Sequence, residues 1–331
     1  MPPQKASMLK IAEKANVSTM TVSRVLNNSA AVAPATRELV LKIARELGYD
    51  HYPNALSRML REERSRSIGV LACFARPDLI GEVICRIGKE LFPTNYLNYI
   101  IDTYADPEVT LQSLKNLAER RTEGVIYFAS SAQEINREIL DLLKRIGSFV
   151  IVSNEKHDPS LQQIYCGWAP GVEQVVRYFK KKGARCPVLL KESSNAACCR
   201  EFERACKEHG FTRWQIITCP AENLPASPEF RNGVPGDAIF ASSEKYHPLL
   251  EEMTDCGQKL PLVMLMDDFL IHHVRPSFPV LRRREPEAGV LAVKLLFEQI
   301  NNQQQFRSGI TELPMEFIED IKTSIKKTEK K

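Results

Sequence analysis

Apolar positions in the first fifth of the chain recur at helical spacing, and none of its runs alternates as a strand does. Leu9 to Ala15 reads as one short helix. Asn16 breaks it, since asparagine tolerates the left-handed conformation that a tight helix–helix turn needs. In the stretch VSTMTVSRVLN, Val17 to Asn27, the residues Val22, Val25 and Leu26 fall at i, i+3 and i+4 and predict a second short helix with one inward stripe. Ser18 stands where its hydroxyl can accept a backbone N–H and cap that helix. Thr19, Met20, Thr21, Ser23 and Arg24 are left facing outward. A third helix is predicted from Pro34-Ala35-Thr36-Arg37, with Leu39, Val40, Ile43, Ala44 and Leu47 as its apolar stripe and Gly48 at its end.

From Ser67 the texture changes to strand-like runs alternating with helix-like runs. SIGVLACF precedes DLIGEVICRIGKEL, YIID precedes DPEVTLQSLKNLAERR, and GVIYFAS precedes QEINREILDLLKRIG, which leads into FVIVSN. The alternation restarts after Trp168 and runs to LVMLMDD. Gly147, Gly183, Gly210 and Gly257 each follow a helical run, the place of a helix-ending glycine. Repeated β-α units predict parallel sheets covered by helices, and two series of them predict two doubly wound subdomains. Ligands of such folds bind at the carboxyl ends of the strands, often between subdomains. The segment 222–236, rich in Pro, Gly, Asn and Ser, reads as a loop, and 326–331 as a solvated tail.

A chain of 331 residues exceeds what one core usually holds, which agrees with several domains. It has no long apolar run and no apolar signal core at its start, so the expectation is a cytoplasmic protein with no membrane contact. Nine cysteines without CxxC spacing read as reduced thiols. Charge is uneven. Residues 1–66 hold eleven Lys and Arg against six Asp and Glu, a formal +5, whereas the whole chain is only +4. A basic first fifth on a nearly neutral body predicts a polyanion-binding head.

A small helix after a tight turn, capped by Ser18 and polar outside, fits the second helix of a helix-turn-helix, which is short because it enters the major groove. By pattern alone, a plain helical hairpin packed on the body remains the other reading. The residues themselves go further. The stretch from Met8 to Tyr49, KIAEKANVSTMTVSRVLNNSAAVAPATRELVLKIARELGY included, together with PNALSRMLR and SRSIGVL, resembles the lactose-repressor (LacI) family of bacterial transcription regulators. LMDDFLIHHVRPSFPVLRRREPEAGVLAVKLLFEQI, 265–300, is similar to the family's Asp-Asp segment and to the strand and helix that cross back between subdomains.

The resemblance implies an all-α helix-turn-helix head over 1–52, a hinge helix and linker over 53–66, and a body over 67–325 resembling periplasmic sugar-binding proteins. Subdomain one would take about 67–165 plus 286–312, and subdomain two about 166–285 plus 313–325. It also implies a homodimer whose two heads read a near-palindromic operator in double-stranded DNA.

Residue roles follow from the same resemblance. Thr19 and Met20 occupy base-reading positions, and Met20 suits a thymine methyl. Arg24 takes the place of a guanine-contacting arginine, with a phosphate contact as its alternative role. Thr21, Ser23 and Asn27 fall at phosphate anchors, while Ser7, Ser18 and Thr36 serve as caps and backbone contacts. In the hinge, Asn54, Arg58 and Arg61 flank DNA phosphates and Leu60 wedges a minor-groove base step. Asp50-His51-Tyr52 inserts two residues that the family usually lacks between its LGY and PN motifs.

In the body, Arg200 and Asp267 align with positions that contact sugar hydroxyls, Ser243 falls in the degraded Ala241-Ser242-Ser243-Glu244 motif, and Phe74 and Trp168 are candidate stacking rings. Structural ion pairing is the alternative for Arg200 and Asp267, and core packing for the rings. Glu203 replaces a glycine of the family pattern. Arg282-Arg283-Arg284 reads as an anion site or as surface charge, and His272-His273 has no third ligand in register for a metal. No nucleotide-binding, zinc-protease or serine-hydrolase motif is present, so no enzyme class and no cofactor is expected. The expected function is a sequence-specific DNA-binding transcription regulator set by a small carbohydrate effector in the cleft. The alternative is the same regulator without a small ligand, controlled by a partner protein or by expression level.

Overall fold

The computed structural model describes residues 7–26, 31–49, 64–74, 77–129, 135–192, 196–226, 236–255, 260–302 and 309–321. Contacts divide the chain into two compact units, residues 1–65 and 66–331.

The first unit holds three helices: α1 (Met8–Ala15), α2 (Thr19–Leu26) and α3 (Pro34–Glu46). Ile11, Ala12, Ala15, Val22, Val25, Val40, Ile43 and Ala44 are buried together at its centre. Asn16 takes φ 51° and ends α1, as its sequence place requires. The Thr21 N–H donates to Ser18 Oγ at 3.1 Å, which makes Ser18 the cap of α2. Leu39 departs from the predicted stripe: it is 46% exposed, because α3 turns Val40, Ile43 and Ala44 inward and leaves position 39 outside that arc.

The second unit is built on two six-stranded sheets. The first contains β1 (Ser67–Ala72), β2 (Leu97–Asp102), β3 (Gly124–Ala129), β4 (Ser148–Ser153), β5 (Gln162–Tyr165) and β11 (Gly309–Glu312), in the order β11-β5-β4-β3-β1-β2. The second contains β6 (Pro187–Lys191), β7 (Gln215–Thr218), β8 (Ala238–Ala241), β9 (Leu262–Met266), β10 (Val280–Arg282) and β12 (Glu316–Ile318), in the order β12-β10-β9-β8-β6-β7. All pairs are parallel except β10–β12, so the second sheet carries one antiparallel edge strand.

Helices cover both faces of each sheet. On the first, α4 (Pro77–Leu91) and α11 (Glu285–Asn301) pack on one face, α5 (Pro107–Glu119) and α6 (Arg137–Ile146) on the other. On the second, α7 (Ala169–Lys181) and α8 (Ala196–Glu208) oppose α9 (His247–Asp255) and α10 (Asp268–Val274). Strands β1 and β3 are buried along their whole length, as a strand sandwiched between helix layers must be. The chain passes between the sheets after Tyr165, after Arg282 and after Glu312. Gly147, Gly183 and Gly210 adopt φ of 106°, 84° and 70° at helix ends. Part of the segment read as a loop is a 3-10 helix, Ala221–Ala226.

Candidate nucleic-acid interface and cleft

In the head, the capped α2 turns Val22 and Val25 inward, which forces Thr19, Met20 and Arg24 outward on the opposite arc. Met20 is 63% exposed, an unusual place for an unbranched apolar side chain in so small a unit. Thr21 and Ser23 are half-buried at the edge of that face. The Thr21 hydroxyl lies 2.9 Å from Ser18 Oγ, so the two hydroxyls share the cap. Ser7 caps α1 by accepting the Lys10 N–H at 3.4 Å. Thr36 sits half-buried in the first turn of α3, where Pro34 leads the helix and no side chain caps it. Asn27, Asn54, Arg58, Leu60 and Arg61 lie outside the described residues. The described face thus combines one cation, hydroxyls and one exposed thioether on a rigid short helix, the set that reads bases and anchors phosphates in a major groove.

In the body, Phe74, Ser243 and Asp267 each follow a strand, at the carboxyl ends of β1, β8 and β9. Phe74 follows β1, half-buried against the first core, with its N–H donating to Asp102 Oδ1 at 3.1 Å. Arg200, on α8, reaches Glu155 of the first subdomain at 3.3 Å and is 63% exposed along its side chain. Ser243 follows β8, donates to Glu192 Oε2 at 3.0 Å, and caps the 3-10 turn Glu244–Tyr246. Asp267 follows β9, is buried, and accepts the Leu270 N–H at 2.8 Å as the cap of α10. Burial raises the Asp267 pKa; the Leu270 hydrogen bond opposes that, Glu244 and Glu82 add to it, and Arg283 counteracts it. Trp168 is 2% exposed inside the second core, with the Arg283 guanidinium 5.9 Å from its ring centre, so in this conformation it offers no open face for stacking.

The three consecutive arginines form neither an anion site nor surface charge. Arg282 contacts Asp268 at 2.7 Å, Glu316 at 2.7 Å and Glu287 at 3.0 Å. Arg283 pairs with Glu285 at 3.5 Å, both nearly buried, and Arg284 approaches Glu287 at 3.7 Å. Sequence pattern missed these partners because they come from other elements, α10, α11 and β12. It also missed Glu155, Glu192 and the His157–Ser153 contact at 3.1 Å, which sit in short loops without a motif. Among the described residues no group of three or more His, Cys, Asp or Glu is placed to hold a metal ion, and no helix is long and apolar enough to cross a membrane.

A helix-turn-helix head joined to a two-sheet α/β body is the architecture of a class of bacterial DNA-binding regulators. Comparison with known proteins agrees. The family described as "Bacterial regulatory proteins, lacI family" matches residues 7–54. The HTH-type transcriptional repressor PurR of Haemophilus influenzae (strain PittGG) is 31% identical, the match covering 91% of this chain and 93% of that one. The fold is that of the lac repressor dimer bound to operator and the anti-inducer ONPF, with TM-score 0.76, 17% identity, and coverage of 96% of this chain and 98% of that one. It is also that of the LacI family regulator CCPA from Weissella paramesenteroides with bound glucose, with TM-score 0.62, 17% identity, and coverage of 76% and 96%. The chain belongs to the lacI family of bacterial regulatory proteins, and is a DNA-binding transcription regulator.

Proposed function

We propose that the protein is a cytoplasmic regulator, not an enzyme, that binds a near-palindromic operator as a homodimer and whose operator affinity is set by a small carbohydrate in the cleft between its two sheets. The observation that carries the DNA reading is the outward set Thr19, Met20 and Arg24 on a capped helix. In it, Arg24 hydrogen-bonds a guanine edge, Met20 packs on a thymine methyl, and Thr21 and Ser23 hold phosphates. The hinge roles of Asn54, Arg58, Leu60 and Arg61 rest on their sequence alone. Support for a dimer comes from one edge of the first sheet, where Phe92, Leu97, Tyr99, Ile100 and Tyr104 are all exposed on and beside β2. An unpaired edge strand with this much apolar surface is ordinarily covered by a partner.

For the carbohydrate, the support is Ser243 and Asp267 at strand carboxyl ends and the reach of Arg200 to Glu155 of the first subdomain, together with the glucose-bound neighbour of the same fold. One observation favours a second reading, regulation without a small ligand. Arg200 is already paired with Glu155, Asp267 is used as a helix cap, and Ser243 is bonded to Glu192. A sugar would have to displace these contacts. A thermal-shift titration with glucose and related sugars separates the two readings. A ligand at about 100 times its Kd adds about 2.7 kcal/mol, enough to raise the melting point by a few degrees.

The DNA reading is tested with Arg24→Ala. Loss of one guanine contact costs about 1–3 kcal/mol per half-site on operator DNA and leaves binding to random DNA nearly intact. An equal loss on both DNAs means that Arg24 touches only phosphate.

A further inference from the structure

At the opposite end of the first sheet from the cleft, the amino-terminal ends of β3 and β4 border a cavity of about 870 Å³, within the size range of small-molecule sites. Helices α5, α6 and α11 all end at it. Lys115, Arg121 and Arg145 line it, and none of the three has an ion-pair partner among the described residues. Thr122, 4% exposed, lines it as well, and its Oγ1 is buried without a hydrogen-bond partner. A buried hydroxyl left unsatisfied is uncommon in a folded protein.

Arg121 adds an independent observation. It follows α5 with φ 53°, its N–H donating to Ala118 O at 3.0 Å. The corresponding place, the second residue past the helix, is taken after α7 and α8 by Gly183 and Gly210. Left-handed backbone strains any residue with a Cβ, so arginine here gives up stability that glycine would supply. Its side chain borders the cavity.

The charges decide the ligand class. The helix carboxyl ends each carry about half a negative charge, and Glu119 and Glu123 add two carboxylates. Three full cations nearly offset these and leave a mixed surface. Such a surface disfavours a polyanion. It suits one anionic group seated on the cations, with hydroxyl donors facing the carbonyls and carboxylates. We infer that this cavity binds a small phosphorylated polyol, with Arg121, Arg145 and Lys115 holding the phosphate and Thr122 a hydroxyl. Glu123, which also lines the cavity, accepts the Arg66 N–H at 2.6 Å and the Tyr96 hydroxyl at 2.6 Å. Occupancy therefore reaches the first residue of the body.

The test is isothermal titration of the full-length protein with ribose 5-phosphate, with ribose and inorganic phosphate in parallel. Saturable binding of ribose 5-phosphate, with both fragments far weaker, is expected. Arg121→Gly relieves the left-handed strain, so it should melt no lower than the parent while weakening ribose 5-phosphate about tenfold or more. Thr122→Val removes the orphaned hydroxyl without unfolding the protein and should also weaken binding. Arg200→Ala with Asp267→Ala, in the cleft, should leave the titration unchanged, which keeps this site distinct from the effector cleft. The inference fails if ribose 5-phosphate shows no saturable binding, if Arg121→Gly binds it as the parent does, or if the cleft pair abolishes it. It also fails if Arg121→Gly weakens operator binding with no phosphate ester present and no titration signal, since the cations then serve DNA.

Discussion

Arg282 links β10 of the second sheet to α11 on the first through its contact with Glu287, and its removal tests whether that junction stabilises the body. It leaves the second sheet on β10, donates to Asp268 at 2.7 and 2.9 Å and to Glu316 at 2.7 and 3.0 Å, and lies 3.0 Å from Glu287 in the first turn of α11. Its side chain is 17% exposed. Burial by itself would lower its pKa, but the Asp268 hydrogen bond and the charges of Glu287, Asp268 and Glu316 more than reverse that, so it stays a cation. Breaking one partner out of a buried pair costs about 3–5 kcal/mol, because the other charge is left without compensation. Here the loss is partly buffered. Asp268 retains Arg86 at 3.2 Å, Glu287 retains Arg284 at 3.7 Å, and Glu316, half-exposed, rehydrates.

The expectation for Arg282→Met is therefore the lower end, about 3 kcal/mol. With a urea slope of about 2–3 kcal/mol/M, the midpoint should fall by about 1 M or more. Trp168 and Trp214, the two tryptophans of the chain, both belong to the second subdomain and report its unfolding by fluorescence. Adding Asp268→Asn and Glu287→Gln to Arg282→Met should recover only part of the loss, since Arg86 keeps Glu82 but Arg284 loses Glu287. A shift below about 0.3 M for Arg282→Met alone would refute the reasoning, because attraction and desolvation would then cancel at this site.

Ser18→Ala should destabilise the head by about 1 kcal/mol through loss of the α2 cap, read by circular dichroism melting, and Ser18→Asn should restore it; an unchanged melt in the alanine variant would mean that the Thr21 hydroxyl replaces the cap. Burial lowers the His157 pKa against the opposing charge of Glu155. As the pH falls below about 6.5 the unfolded chain takes its proton first, so stability declines until the folded imidazole titrates, and His157→Gln should flatten that decline between pH 7 and 5 in urea unfolding. Equal slopes for the two proteins would rule that out. Leu60→Ser, in the hinge, should reduce DNA bending in circular-permutation gel shifts and lower operator affinity while leaving the head's melting intact; a full bend in that variant would show that the segment around Asp50-His51-Tyr52 has moved the wedge elsewhere.

Much of the architecture was legible because it is set by neighbours in the chain. The i, i+3, i+4 stripe of Val22, Val25 and Leu26, the Ser18 cap and the left-handed Asn16 each involve residues within four positions of one another. The same holds for the glycines that end α6, α7 and α8, and for the alternation that predicted two doubly wound sheets. The outward face of α2 follows from the same local geometry.

What the sequence left open depends on distance along the chain. Strands β5, β11 and β12 are three or four residues long, too short for a period to declare itself, and exist because a neighbouring strand supplies their hydrogen bonds. Arg282 looks like surface charge until α10, α11 and β12 bring carboxylates from positions 268, 287 and 316 around it. Trp168 looks like a stacking platform until it is buried in the second core with Arg283 against its ring, and Leu39 looks like core until the packing of three helices leaves it outside. Periodicity states which residues prefer to be buried. Which of them are buried, and which charges are paired, is decided by elements far apart in sequence that meet only in the folded chain.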